Sequence, residues 1–426
     1  MSNSISRMVF SLFLSVLLVG FYGVEYVLGQ ENATTEKSAE KNKRRVTASM
    51  TEQTYKKLTR IHGLIGEQQY IEALKLLKPL VRQLRSDYER AIVFQTYGFI
   101  YAAQEQYPRA TEYLEKALVL EALPVEQEES LTFTLAQLYI VQGRYKQGIG
   151  TLEKWFSTAE NPDGHAYAML ASAYSQDQQY GKAIPALEKA ISMTDDPQEA
   201  WYKLLASMYY REKQYAKAAA TLEVMTARWP ENERYWKQLS SVYLTLKKET
   251  KALAALDIAY QRGYLTAESE ILRLANLHAY LNDPFEAAQV LAAGLGRGIV
   301  EPGRKHLELL GNYYMSAHEN SKAIEALNRA GQAAEHGRID QRVAYLLIEQ
   351  EKWQQADQAL QRALKKGGLD KPGKAWLLRG MAVYEMGRFD KAREYFQTAA
   401  RHEDSRSDAA QWIRHIEAEQ SALSQE

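Results

Sequence analysis

The sequence predicts an all-α fold, a solenoid of about ten stacked helical hairpins closed by a C-terminal capping helix. Three observations predict it. An aromatic residue, a small residue three positions on, a large apolar residue four beyond that and often another small residue recur along the chain. The clearest copies are Tyr107, Ala110, Leu114, Ala117; Tyr180, Ala183, Leu187, Ala190; Tyr215, Ala218, Leu222; and Phe389, Ala392, Phe396, Ala399. Steps of three and four put these residues on one face of a helix. The pivotal small residue falls at Ala73, Ala110, Gly148, Ala183, Ala218, Ala252, Ala287, Ala323, Ala356 and Ala392, so nine intervals cover 319 residues at about 35 each. Upstream of the pivot a second signature pairs a small residue with an aromatic three later: Gly98 with Tyr101, Ala136 with Tyr139, Ala171 with Tyr174, Ala206 with Tyr209, Gly311 with Tyr314.

Each unit is therefore two helices. Polar or glycine segments such as Gln142-Gly143-Arg144 and Met386-Gly387-Arg388 end the first helix and turn into the second. Small residues belong where the helices cross, because axes approach to about 8 Å only when neither side chain is bulky. The large residue of the second helix fills the space toward the next hairpin. Pro230 after Trp229 stops a second helix, and Trp236 and Trp376 stand four residues before the small position. Departures mark the middle of the array: Glu249 and Pro284 take aromatic positions, His278 replaces a tyrosine, and Gly294, Gly296 and Gly298 follow closely. An irregular stack or bend is expected there. Ser407 to Leu423 forms one more helix, with Ala409, Trp412, Ile413 and Ile416 on the face that covers the open end of the stack.

The N-terminus reads as an address. A short stretch with Arg7 precedes an apolar run from Met8 to Gly23, the pattern of a secretory signal, with a cut expected ahead of Gln30. An uncleaved membrane anchor is the alternative, since counting across Glu25 brings the run to the roughly 20 residues a spanning helix needs. Residues 1–29 are thus a signal peptide or membrane anchor, 30–46 a disordered polar tether, 47–401 the solenoid and 402–426 the capping helix and tail. Lys41, Lys43, Arg44 and Arg45 in the tether form a charge run suited to solvent or to anionic lipid.

Composition narrows the function. Lys and Arg number 53 and Asp and Glu 53, so the chain lacks the basic excess that neutralises nucleic-acid phosphates. With no cysteine there is no disulfide, thiolate metal site or thiol nucleophile. The chain carries no HExxH, GxxxxGK[ST] or GxSxG motif, and its eight histidines are dispersed, His306 and His318 among them. No enzyme activity, metal or cofactor is expected. His278 reads as a satisfied core histidine, and the 28 tyrosines as packing before any stacking role.

The period, the small and aromatic positions and the Pro after the second helix resemble the tetratricopeptide repeat family over roughly Thr47 to Arg401. The resemblance implies a right-handed superhelix whose inner wall, lined by the first helices, holds protein segments. Register then gives groove candidates: Lys203, Tyr210, Arg211, Lys237, Asn276, Tyr280, Asn312, Tyr345, Met381 and Tyr384. Lys203, Arg211 and Lys237 with Tyr210 suit an acidic or carboxylate-bearing peptide, or are simply solvated charges. The Lys and Asn pair of a carboxylate clamp is missing, since Leu272 and Glu308 stand one turn before Asn276 and Asn312.

The exported, tethered layout and the segments around Trp353–Ala356, Gly380–Glu385 and Phe389–Ala392 resemble repeat proteins of the bacterial TonB, ExbB and ExbD system. That resemblance implies a periplasmic scaffold, an accessory of the TonB energy-transduction system, with TonB, ExbB or ExbD as protein partners. It implies no nucleic acid, and membrane contact only through an uncleaved anchor. A scaffold in cell-envelope assembly, for polysaccharide export or outer-membrane protein insertion, is the alternative. A small-ligand protein with a pocket near repeats six and seven is a third.

Overall fold

The computed structural model describes residues 50–84 and 86–423; the export segment and the tether read from the sequence lie outside the described residues. Among the described residues the chain forms 21 α-helices and no strand. It divides into two compact units, residues up to Thr221 and residues from Leu222 onward.

The first unit contains α1 (Glu52–Gly66) and α2 (Tyr70–Leu80), α3 (Asp87–Ala103) and α4 (Tyr107–Val119), α5 (Val125–Val141) and α6 (Tyr145–Thr158), α7 (Gly164–Gln176) and α8 (Tyr180–Ser192), and α9 (Glu199–Arg211). The unit boundary falls within α10 (Tyr215–Arg228). The second unit continues with α11 (Glu233–Thr245) and α12 (Glu249–Gln261), α13 (Glu268–Tyr280) and α14 (Pro284–Gly296), α15 (Arg304–Ser316) and α16 (Asn320–Gln332), α17 (Arg338–Glu349) and α18 (Trp353–Lys366), α19 (Pro372–Glu385) and α20 (Phe389–Ala400), and ends with α21 (Arg406–Leu423). The ten hairpins and the closing helix are those the repeat predicts.

Packing explains the small residues. The nine pivotal alanines have no exposed surface. A Cβ added at Gly98 would lie 2.1 Å from Leu114 Cδ2, and one at Gly311 2.6 Å from Leu327 Cγ. The large residue of the second helix therefore sits on the small residue of its own hairpin. It also reaches onward, for Leu114 shares a buried cluster with Leu131, Leu135 and Leu138 of the next hairpin.

The turn inside every hairpin has one geometry. The residue five before the pivot is left-handed in all ten: Gly143, Gly387, and the eight non-glycines Gln68, Glu105, Gln178, Lys213, Lys247, Asn282, His318 and Glu351. The next residue donates its N–H to the carbonyl five residues back in the first helix, as Gln106 does to Tyr101 at 2.8 Å, Gln214 to Tyr209 at 2.8 Å and Glu319 to Tyr314 at 2.9 Å. That closing bond satisfies a carbonyl the helix end would otherwise leave open. It holds ordinary side chains in a conformation that costs them roughly 1–2 kcal/mol.

Pro284 does not interrupt a helix. Proline stands at the start of α14, where a helix needs no N–H from it, and Asp283 caps the helix by accepting from Glu286 N at 3.3 Å. Gly294 is a packing glycine: a Cβ there would lie 2.8 Å from Ile271 Cγ2.

Consecutive hairpins are also fastened by a repeated polar rung. Tyr139 donates its hydroxyl to Glu115, Tyr174 to Glu153 at 2.5 Å, Tyr209 to Glu188 and Tyr243 to Glu223, in each case from a first helix to the second helix of the preceding hairpin. A lysine from the following second helix covers three of these rings and faces the same carboxylate. Lys182 is 5.3 Å from the Tyr174 ring and 3.7 Å from Glu153, Lys217 5.3 Å from Tyr209 and 3.5 Å from Glu188, and Lys251 5.4 Å from Tyr243 and 3.8 Å from Glu223. Burial and then the bonded carboxylate push all four phenols well above the usual tyrosine range. They stay protonated donors throughout the neutral range.

Three stability measurements check this account. Ala218→Leu overpacks a site with no free volume and should cost about 1–3 kcal/mol, read as a lower Tm. Lys213→Gly relieves the left-handed strain at an exposed position and should gain up to about 1 kcal/mol in denaturant unfolding. Tyr209→Phe deletes one rung while leaving Lys217 beside the half-exposed Glu188, so the loss should be about 1 kcal/mol.

Candidate protein-interaction face

The residues that register assigns to a groove are placed by the first helices, and most are engaged. In the first unit Lys203 lies 3.0 Å from Glu199 one turn earlier. Arg211 covers the Tyr180 ring at 5.7 Å, and the half-exposed Tyr210 meets Tyr215 edge-on at 5.2 Å.

In the second unit Lys237 is 2.8 Å from Glu270 and 3.8 Å from Glu233. Burial raises the Glu270 carboxyl, but the Lys237 bond and the N–H groups of Ala267 and Thr266 outweigh it and hold the group below its ordinary value. Asn276 accepts the Tyr313 hydroxyl at 2.6 Å, and Asn312 accepts from Arg342, whose other arm binds Glu308 at 3.1 Å. The Tyr345 hydroxyl accepts from Gln341 at 3.3 Å. Met381 packs in the C-terminal cluster. Tyr384 donates to Glu419 at 2.6 Å and meets Trp412 edge-on at 5.2 Å, so α21 covers both residues' surroundings.

One place on this face is unfilled. A hollow of about 510 Å³ opens between the end of α11 and the length of α13, floored by Leu244, Leu272 and Leu277 and rimmed by Arg273, Asn276 and Tyr280. Tyr280 is 72 % exposed, the most open tyrosine of the large exposed apolar side chains. Arg273 is exposed and makes no ion pair among the described residues. Because the Asn276 carbonyl oxygen is taken by Tyr313, its NH₂ remains as donor. The hollow thus offers leucine surface, a phenol, a guanidinium and an amide N–H, a set that suits an apolar side chain beside a carboxylate. Sequence reading picked Asn276 and Tyr280 but missed Arg273. The signal was available, since Arg273 precedes them by three and seven residues and so shares their helix face.

A second hollow, about 300 Å³, lies in the first unit over Leu118, Leu135 and Tyr139, with Gly150 and Lys154 at its edge. Among the described residues no three His, Asp or Glu side chains gather as a metal site, and no helix is long and apolar enough to cross a membrane.

Comparison with known proteins finds likenesses in two segments of the array. Residues 344–410 match the tetratricopeptide repeat family. That segment is similar to tetratricopeptide repeats. Residues 176–259, within the same array, match the family of anaphase-promoting complex (cyclosome) subunit 3. No curated protein matches the chain. Among solved structures, YrrB, described as a tetratricopeptide-repeat protein with an unusual peptide-binding site, is 18% identical with a TM-score of 0.36, covering 43% of this chain and 91% of its own. MamA residues 41 to the end from Desulfovibrio magneticus RS-1 is 22% identical with a TM-score of 0.35 over 43% of this chain and 99% of its own. The TPR2AB domain of yeast Sti1, solved as a complex with pHSP90, is 15% identical with a TM-score of 0.31 over 60% of this chain and 98% of its own. Residues 344–410 fall within α17 to α21, and the hairpins from α1 to α20 share one helical-repeat geometry.

Proposed function

We propose that the array grips a protein segment in the hollow between α11 and α13, and that the segment carries an apolar side chain next to a carboxylate. The observation that carries this reading is Arg273. Lys237 on the neighbouring α11 is already matched by Glu270, whereas Arg273 stands beside leucine floor and an exposed tyrosine with no acidic partner among the described residues. Tyrosine and arginine at the centre of an apolar patch are the residue types that dominate binding energy, while paired lysines contribute mainly to steering.

The partner proposed is a component of the TonB energy-transduction system, TonB, ExbB or ExbD, met in the periplasm. Support for it comes from the apolar Met8–Gly23 run, the polar segment after it and the resemblance of the last repeats to that system's accessory proteins.

Calorimetric titration with the purified periplasmic regions of TonB, ExbB and ExbD tests both parts. Arg273→Glu and Tyr280→Ala should each weaken binding at least about tenfold, or ~1.4 kcal/mol, while Lys203→Glu changes affinity by less than about twofold. A complex indifferent to both substitutions removes the hollow from the reading. Absence of a complex with any of the three removes the partner.

A further inference from the structure

We propose that His278 is a protonation-dependent joint of the array: as an imidazolium it fastens α13 both to α12 and to the start of α14, and loss of its proton releases one of the two. His278 occupies the rung position. It follows the small Ala275 by three residues, as Tyr174 follows Ala171 and Tyr209 follows Ala206. Its carboxylate partner, Asp257, likewise follows the pivot Ala252 by five residues, as Glu188 follows Ala183 and Glu223 follows Ala218.

The chemistry at this rung differs in three ways. A tyrosine rung sets one donor against one carboxylate. His278 faces two: Nε2 is 3.0 Å from Asp257 Oδ1 and Nδ1 is 3.4 Å from Asp283 Oδ2. A neutral imidazole carries a single N–H, so one carboxylate then meets a nitrogen lone pair; only the imidazolium donates to both. The balancing ammonium is also gone. Lys182, Lys217 and Lys251 each precede a pivot by one residue, and the residue before Ala287 is Glu286. Finally, His278 is 6 % exposed and its Nδ1, 3.4 Å from Asp283, is buried without a well-formed hydrogen bond, so solvent has little access to it.

The second carboxylate is not a bystander. Asp283 caps α14 through Glu286 N at 3.3 Å, and its own N–H donates to His278 O at 2.9 Å. The charge state of the ring is therefore felt at the beginning of the next helix. The charged groups that face the ring are Asp257 from α12 and Asp283 from the turn into α14; none from α11 or α15 is among its interactions in the described residues.

The direction agrees with the geometry. The Asp257 bond raises the imidazole, burial opposes it, and the charges of Asp257 and Asp283 add to the rise, leaving the group above the ordinary 6.5. Stability from this joint is then complete below the unfolded-state value and is lost as pH rises through the folded-state value. His62, in the first unit, has the opposite sign: burial lowers it to about 4, so its contribution is present above the ordinary value and is lost as pH falls toward 4. A melting curve of the wild type alone mixes the two.

The test is a ring-proton NMR titration of the full chain, assigned by loss of the His278 resonance in His278→Tyr. It is accompanied by melting of wild type, His278→Tyr and His278→Gln from about pH 5.5 to about pH 9. Expected is a His278 midpoint above that of free histidine. The wild-type Tm should also fall relative to both variants as pH rises, because a phenol or an amide donates to Asp257 at any pH in that range. A midpoint at or below the free-histidine value, or a Tm difference that stays constant with pH, overturns the proposal. If His278→Gln does not fold, the titration and His278→Tyr decide alone.

Discussion

Helix crossing in each hairpin depends on a side chain that ends at Cα or Cβ, and the rest of the structure follows from that constraint. At Gly98 even a methyl would overlap Leu114, and the pivotal alanines are wholly enclosed. Fixing residue size at two points, one per helix, fixes which faces are buried in the hairpin and which turn toward the next one. A hairpin so small cannot bury its own apolar surface, so Leu114 must share its cluster with Leu131 and Leu135 of the following pair. Repetition of sequence and repetition of contact are then the same fact.

The positions left over join one hairpin to the next, and this explains why so few polar groups on the first helices remain available to a partner. Lys237 and Glu270, Asn276 and Tyr313, Arg342 with Glu308 and Asn312 all connect neighbouring repeats. Each is a polar residue on an accessible face whose capacity is taken by the array itself. In the proposed reading, recognition draws on groups the fasteners do not use, among them Arg273, the amide N–H of Asn276 and Tyr280.

Sequence made the fold legible because packing imposes residue size at fixed spacing, and size is visible in one-letter code. The ten hairpins could be counted from the pivots, and the closing helix from the apolar face of Ala409, Trp412, Ile413 and Ile416. The turns were legible only at Gly143 and Gly387. Lys213, His318 and Glu351 adopt the same left-handed conformation without any compositional sign, because the closing N–H to carbonyl bond enforces it and a backbone bond leaves no mark in side-chain identity. Pro284 misled in the other direction, since the aromatic position it replaces is also the first residue of a helix, where proline fits. For the site, register located Lys237, Asn276 and Asn312 but not their partners, which lie some thirty residues away on another helix. Arg273 lies two residues before Ala275, off the register positions at Leu272, Asn276 and Tyr280, so the register does not select it.

The joints change chemistry along the chain, and toward the C-terminus their location as well, and this bears on where the array gives way. Tyr97, Tyr101 and Tyr113 stack where Lys78 stands in place of the carboxylate; tyrosine and glutamate serve the next four joints; His278 serves with two aspartates; Arg379 and Asp357, 2.6 Å apart, serve near the C-terminus. At the eighth repeat the carboxylate position holds Ala292, and the fastening moves to the bond between Tyr313 and Asn276. In a stack whose stability is a sum of nearest-neighbour terms, each joint sets its own opening free energy. Asn276 therefore has two tasks, lining the hollow and holding α15. A ligand that draws on its amide acts on the fastening of the next repeat through the same group, without any longer path between site and scaffold.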